Sequence, residues 1–593
     1  MCGIAGWIYR SGTEPPDSTL TALALALSHR GPDDSGEYRD RSAGVALAHR
    51  RLSIIDLTDA SHQPMVDHDR QVSLSYNGEL YNFRDLRREL IALGHEFRSS
   101  GDTEVVLKAY VQWGTACFAR FAGMFAIALW DARSQILHLA RDPMGMKPLY
   151  FVNGPTGLVF ASEVKAFAHL PHHPHAIADR SVRQYLEFGY VYDERSTMFE
   201  GVSKLPPGHR MAVRSEGIVE EEAFFTPPFP DRADGRDEAE RVRELSGQMQ
   251  RVVEEHLIAD VPVGLLLSGG LDSSVIAALA ASQGPLRTIS MGFSGSDIDE
   301  RPYARAVAEH VGSRHTEVLV TPAEVMAEVE RGAWVFDDLF GDWGTITTRL
   351  LYRRCREMGV KVVLVGEGAD ELFGGYDIFQ QPAQLNMWTT FLLYQRYAGR
   401  RFGRGYREFA RIVGDYADMS GGESFDAVRM FESRRQLPNQ YVMKVDKASM
   451  AESIEARAPF LDRRIAEIAY RTPREWLLRG GENKYLLRAM ARRDQLLPES
   501  VSNRPKFGAP LAAEWMDNDE QFRDFARTRI LGGAWVTKVG LRKAMNVYFS
   551  GRRTGYPIPH ALSIFRILAW RLLLLELWST SNSYATQESM RAA

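Results

Sequence analysis

Runs of apolar residues punctuated by glycine set out the second half of the chain. Residues 261–267 carry only apolar side chains plus Pro262 and Gly264, and read as a buried strand. The seven residues Ser268 to Ser274 (SGGLDSS) read as a tight turn, and the Ala-rich residues 275–281 as the start of an apolar helix. Further strands are predicted over 286–293 and 361–365, and an amphipathic helix over 237–258. Strands alternating with helices predict a mostly parallel sheet. Nearer the N-terminus, residues 72–76 read as a strand followed by an Asn77-Gly78 turn. Residues 29–34 read as another turn, and Arg51 as preceding a strand. Gly101 to Glu104 leads into a helix with Asp102 or Thr103 as its cap. Pro- and Gly-rich stretches at 205–208 and 226–235 place the junction: a first domain over 2–205, a linker over 206–240 and a second domain over 241–593.

Two other apolar runs need a reading. Residues 20–27 are too few to span a bilayer, and 567–578 are interrupted by Arg571 and Glu576, which predicts a buried or interface helix. No membrane partner is expected. The chain has 593 residues, enough for two to four domains, and its 45% hydrophobic and 25% charged content is that of a globular protein. Net charge is 72 − 76 = −4 without a basic block, which argues against nucleic acid as a partner. Cys2, Cys117 and Cys355 are too few and too scattered for a disulfide framework or a zinc site, so a reducing cytoplasm fits best.

The turn at 268–274 carries chemistry. Gly269 and Gly270 let the backbone approach a ligand, and a helix N-terminus offers N–H groups to an anion. Ser268, Ser273 and Ser274 add hydroxyl donors. Asp272 would repel phosphate unless a cation such as Mg²⁺ lay between them. A Lys at the end of the loop is lacking, so this is not the common phosphate loop. Ligands of such sheets sit beyond the carboxyl ends of strands. That adds Leu267, Met291, Gly292, Gly366 and Glu367 to the nucleotide-site candidates, Met291 and Gly292 against adenine. Glu367, Asp370 and Glu371 cluster on the glycine-rich turn after 361–365, where one acid could join Asp272 around Mg²⁺ and another act as a base. The seven-residue word resembles that of the pyrophosphate-loop ATP pyrophosphatases, which cleave ATP to AMP and pyrophosphate while adenylating an acceptor.

At the other end, removal of Met1 would leave Cys2 with a free α-amine, which titrates near ~7.7–8.0 and can serve as base for its own thiol. The plainer reading of Cys2 is an inert core residue. Asn77-Gly78 can offer an amide and a backbone N–H to an oxyanion, and Arg51 and Asp102 have the charges to hold an amino acid's carboxylate and ammonium. Taken together with residues 123–131, 140–150 and 160–165, this set resembles the class II glutamine amidotransferase domain, an N-terminal-nucleophile hydrolase. With the pyrophosphate loop and residues 303–308, 444–450, 458–462 and 503–508, the chain resembles the glutamine-hydrolysing asparagine synthetase family over most of 2–510. The resemblance implies an N-terminal four-layer αββα sandwich and a C-terminal α/β domain of mostly parallel sheet with a helical end. It implies Cys2 as nucleophile, Asn77 and Gly78 as oxyanion hole, and Arg51, Asn77, Glu79 and Asp102 as glutamine ligands. It further implies ATP and Mg²⁺, with Asp272 and Asp370 holding the metal, Glu367 assisting ammonia attack and Lys506 stabilising phosphate charge. A homodimer is a family expectation.

The acceptor region departs from the family. Trp343 and Gly344 stand where family members carry small hydroxyl residues or an Arg, and Val365 where Ser is frequent. Trp for Arg removes a carboxylate fork and adds an apolar wall. L-aspartate is the expected acceptor carboxylate. The alternatives are a secondary-metabolite or surface-sugar acid, a cyclising ligase of the β-lactam synthetase kind, or a scaffold built on an inactive synthetase.

Overall fold

The computed structural model describes residues 2–10, 12–170, 176–228, 235–294, 299–342, 344–376, 379, 403–419, 424–502, 504, 515–550 and 559–581. Lys506 and Trp343 lie outside the described residues.

The strands of the first part are β1 (Gly3–Tyr9), β2 (Asp34–Asp40), β3 (Val45–Arg51), β4 (Met65–Asp67), β5 (Val72–Leu80), β6 (Gly123–Asp131), β7 (Ile136–Arg141), β8 (Tyr150–Gly154), β9 (Gly157–Ala161), β10 (Ser203–Lys204), β11 (His209–Arg214) and β12 (Gly217–Ala223). They form two antiparallel sheets, ordered β10-β8-β9-β1-β3-β2 and β12-β11-β7-β6-β5-β4. Alternation along the strands makes these sheets the middle of four layers. In β1, Ile4 and Ile8 face the second sheet, while Ala5 and Trp7 pack with Leu20 and Leu23 of the helix Asp17–Ala26. In β6, Ala126, Ala128 and Trp130 face the first sheet, while Phe125, Ile127 and Leu129 pack under the helices Phe83–Ala92 and Thr103–Trp113. The result is the αββα sandwich that the resemblance implied.

Several local expectations change. Asn77 and Gly78 are not a turn: they sit inside β5, opposite Ala126 and Phe125 of β6. Pairing along all nine residues of β5 outweighs the local turn preference of Asn-Gly. Arg51 ends β3 rather than preceding a strand. Within the stretch expected as a linker, β11 pairs with β7 and β12 with β11, so the sandwich continues to Ala223. The prolines at 206 and 207 only turn the chain from one sheet to the other.

The second part begins with the helix Glu238–His256, which Asp237 and Glu240 close with a capping box. Its sheet comprises β13 (Val263–Leu266), β14 (Arg287–Phe293), β15 (Arg314–Val320), β16 (Val362–Leu364) and β17 (Glu455–Arg457). The order is β15-β14-β13-β16-β17 and every neighbouring pair is parallel. The chain crosses from one side of β13 to the other after β15, which makes the carboxyl ends of β13, β14 and β16 the topological switch point. The C-terminal helix Pro559–Ser581 is a packing element: Arg571 donates to the carbonyls of Leu186 and Glu187 at 2.8 and 2.9 Å, and Trp578 is fully buried. Among the described residues no helix is long and apolar enough to cross a membrane.

Candidate active sites

The first site lies where β1 and β5 meet. Cys2 is buried, and its backbone N–H donates to Asn77 Oδ1 at 2.9 Å. With that oxygen engaged, the Asn77 amide group is held with Nδ2 buried and unpartnered. A buried donor without an acceptor is costly unless a ligand supplies one, and here it belongs to the side chain bonded to the Cys2 main chain, which suits it to an oxyanion. Gly78 allows the close strand contact, because a Cβ there would come within 2.3 Å of the Met124 carbonyl oxygen. Burial pushes the Cys2 thiol up, opposed by charges that include Arg51. The Cys2 carbonyl accepts from Arg30 Nε at 3.0 Å, and Arg30 also pairs with Glu163 and Asp446 at 2.7 and 2.9 Å.

Two carboxylates converge nearby. Asp102 flanks the start of its helix but does not cap it. Its Oδ2 accepts instead from the Leu80 N–H at 2.9 Å and the Tyr76 hydroxyl at 3.0 Å, which ties the helix start to β5. Burial raises its pKa against those bonds. Glu79 is raised well above the usual carboxylate range by burial, against the pull of Arg457 at 3.1 Å. Two buried acids at this end of β5 suit an ammonium group. Arg51 spends its guanidinium on main-chain carbonyls of the loop that follows it, Thr58 at 3.1 Å and Asp56. It therefore shapes the wall of the pocket in this structure.

The second site is a cavity of about 420 Å³ at the switch point. It is lined by Leu267, Ser268, Gly270, Asp272 and Ser273 after β13, by Met291 and Gly292 of β14, and by Gly366, Glu367, Asp370 and Glu371 after β16. The helix after β13 spans Leu271–Ala281 and starts earlier than expected, so Asp272, Ser273 and Ser274 occupy its first turn. The turn itself is closed by Gly269, at φ +69, where a Cβ would lie 2.4 Å from the Ala304 nitrogen. Ser268 and Ser273 bond to each other at 3.1 Å, and Ser274 Oγ is buried and unpartnered.

Lys484, which gave no signal in the sequence, stands between the two acids assigned to a metal. Its Nζ is 2.5 Å from Asp272 Oδ2 and 2.7 Å from Asp370 Oδ1. Burial would lower its pKa, but the two carboxylates win and raise it. Asp272 and Asp370 thus converge on one cationic position. Among the described residues no group of three or more His, Cys, Asp or Glu side chains forms a metal cage. Two carboxylates alone suit Mg²⁺ that takes its remaining ligands from a polyphosphate and water.

Across the cavity, Glu367 Oε1 lies 3.1 Å from Lys444 Nζ, which is also 3.9 Å from Asp342. Glu371 is pushed up to about 7 by burial and by Asp370, and accepts from the Tyr376 hydroxyl at 2.5 Å. Leu351, Tyr352, Val365 and Tyr441 complete this end, where the Tyr352 hydroxyl is fully buried and unpartnered. Arg504 props the glycine turn from behind: it donates to the Gly269 carbonyl at 3.0 Å and pairs with Glu300 at 2.6 Å. Lys444, Lys484, Arg457 and Arg504 were not singled out as site residues, since isolated basic residues far along the chain carry no local sign of where they fold.

Comparison with known proteins agrees with this geometry. The sequence pattern of the asparagine synthase family matches residues 244–551, and that of the glutamine amidotransferase domain matches residues 1–225. The chain is 30% identical over 570 residues to asparagine synthetase [glutamine-hydrolyzing] 1 of Bacillus subtilis, covering 88% of each. It is 29% identical over 542 residues to asparagine synthetase [glutamine-hydrolyzing] 2 of Arabidopsis thaliana, covering 87% of this chain and 80% of that one. A third relative, amidase chry2 of Gibberella zeae, is 31% identical over 409 residues, covering 64% of this chain and 60% of the other. A buried N-terminal cysteine beside an unpartnered amide donor, and a glycine turn at the switch point of a parallel sheet, are thus two halves of one enzyme, and the chain belongs to the asparagine synthase family, with an N-terminal glutamine amidotransferase domain.

Proposed function

We propose that the protein transfers the amide nitrogen of glutamine to L-aspartate, forming L-asparagine, glutamate, AMP and pyrophosphate. The observation that carries this reading is the hydrogen bond from the Cys2 N–H to Asn77 Oδ1, which leaves Asn77 Nδ2 unpartnered, in one domain and the Glu367–Lys444 pair facing a nucleotide-sized cavity in the other. With Met1 removed, the Cys2 amine accepts the thiol proton as the sulfur attacks the glutamine amide carbon. Asn77 Nδ2 donates to the oxyanion, the protonated Cys2 amine passes its proton to the leaving nitrogen so that ammonia departs, and water hydrolyses the thioester to glutamate. Glu79 and Asp102 hold the substrate ammonium, and Gly78 keeps the strand close.

In the second domain, Ser268, Gly269, Gly270, Ser273 and Ser274 bind the polyphosphate and Met291 and Gly292 flank the adenine. Asp272 and Asp370 would hold Mg²⁺, which neutralises phosphate charge. The acceptor carboxylate attacks the α-phosphorus, pyrophosphate leaves, and ammonia displaces AMP from the acyl carbon. Glu367 takes the proton that the attacking ammonia loses, and Lys444 orients it. Lys506 is assigned to phosphate charge on the resemblance alone.

The test is release of pyrophosphate and glutamate with ATP, Mg²⁺, glutamine and L-aspartate, the amide product being identified by mass. Asparagine formed in step with pyrophosphate supports the reading. Cys2→Ala is expected to abolish glutamate release and spare amidation from ammonium; glutamate release by Cys2→Ala would refute the nucleophile assignment. A second acceptor reading is favoured by Leu351, Tyr352, Val365, Tyr376 and Tyr441 at the acceptor end. These suit a larger, more apolar carboxylate. Glutaminase activity without aspartate-dependent pyrophosphate release would select it.

A further inference from the structure

Arg457 belongs to the synthetase domain, yet its guanidinium reaches the glutamine pocket. It ends β17, the edge strand of the parallel sheet. Residues two apart on a strand share a face, so Glu455 and Arg457 both point toward the sandwich. Arg457 is fully buried. Its Nε donates to Glu455 at 2.6 Å, and its Nη1 donates to the carbonyls of His256 and Ile258 at 2.7 and 2.8 Å. Three bonds to its own domain fix the planar fork, and Nη2 then lies 3.1 Å from Glu79 Oε2 across the domain boundary. The backbone of the same residue is tied to the other site: its carbonyl accepts from the Val365 N–H at 2.9 Å, one residue before the Gly366-Glu367 turn.

We propose that Arg457 is a positioning residue for glutamine hydrolysis: its guanidinium, fixed by the synthetase domain, holds the Glu79 carboxyl group in place toward the substrate ammonium, so that the synthetase domain completes the glutaminase pocket. The inference rests on the assignment of Glu79 to glutamine binding. The electrostatics agree in direction: burial, with Asp102 and Glu455, keeps the Glu79 pKa well above the usual carboxylate range, and Arg457 is the leading charge that pulls it down. A neutral Glu79 would lose its attraction for an ammonium group. Loss of the guanidinium therefore raises the Glu79 pKa further and moves the ionisation on which ammonium binding depends to higher pH.

The experiment measures glutamate release from glutamine between pH 6 and 9 by the full-length chain, with Arg457→Gln, Arg457→Lys and Glu79→Gln, each checked for an unchanged melting temperature. Arg457→Gln is expected to raise the glutamine KM about tenfold or more, from the loss of a buried charge that faces Glu79 at ion-pair distance. Its kcat changes far less, and the rise of its kcat/KM with pH is displaced to higher pH than the parent's. Arg457→Lys, which keeps the charge without the fork, gives a smaller rise in KM and no such displacement. In a Glu79→Gln background, Arg457→Gln adds no further rise. A folded Arg457→Gln with parental KM and pH profile overturns the proposal. If that variant does not fold, a parental KM for Arg457→Lys overturns it instead. When Glu79→Gln raises KM and the Arg457 variants do not, the proposal alone falls; when Glu79→Gln leaves KM unchanged, the assignment of Glu79 falls and takes the proposal with it.

Discussion

Replacing Lys484 by Met tests whether Asp272 and Asp370 form a cation site. In the parent protein the Lys484 ammonium neutralises both acids at 2.5 and 2.7 Å. The Lys484 side chain is 7% exposed, and the two carboxylates are 20% and 21% exposed. Removing one partner of a fully buried ion pair costs about 3–5 kcal/mol. Screening by the water that reaches these carboxylates brings the figure down to about 2–3 kcal/mol. At roughly 2–4 °C per kcal/mol for a large domain, the melting temperature falls by about 4–12 °C in chelator. The two acids, without the ammonium, then favour a divalent ion, so added Mg²⁺ restores stability by mass action, following RT ln(1 + [Mg²⁺]/Kd). Thermal unfolding across a Mg²⁺ series, without nucleotide, reads both effects. The parent, whose acids already have a partner, responds little. An unchanged melting temperature in chelator, or an equal Mg²⁺ response in parent and variant, refutes the reasoning.

Gly269→Ala places a Cβ at φ +69 and 2.4 Å from the Ala304 nitrogen. It costs about 1–2 kcal/mol for the backbone conformation alone and displaces the glycine turn. ATP-dependent pyrophosphate release is expected to fall at least tenfold while glutamate release persists, and an unchanged rate would refute the role of the turn. Glu432 is raised to about 8, by burial and then by Glu371, which itself stands at about 7. Because these folded values lie above the ordinary 4.5, the native state binds more protons than the unfolded one. Stability therefore declines as pH rises from about 4.5 through 8. Glu432→Gln is expected to flatten that decline in denaturant titrations at pH 6 and 8, and an unaltered slope would count against it.

The sequence by itself determined what depends on near neighbours. The strand at 261–267, the glycine turn and the helix that follows were legible because an apolar run, paired glycines and hydroxyl residues act on adjacent backbone. The chemistry proposed for Cys2 was suggested for the same reason, since amine and thiol belong to one residue. Asn77-Gly78 misled as a turn because its strand is imposed by β6, some fifty residues away. Only the tertiary structure decided the rest. It turned Asp102 from a cap into a partner of Leu80 and Tyr76, and it brought Lys484 between Asp272 and Asp370 across more than a hundred residues. It also set Arg457 against Glu79 from the other domain. Buried charges are tolerated only where opposite charges or hydrogen-bond partners meet them. Which distant residue supplies that partner is fixed by how sheets and helices pack, a relation with no periodicity in the chain to announce it.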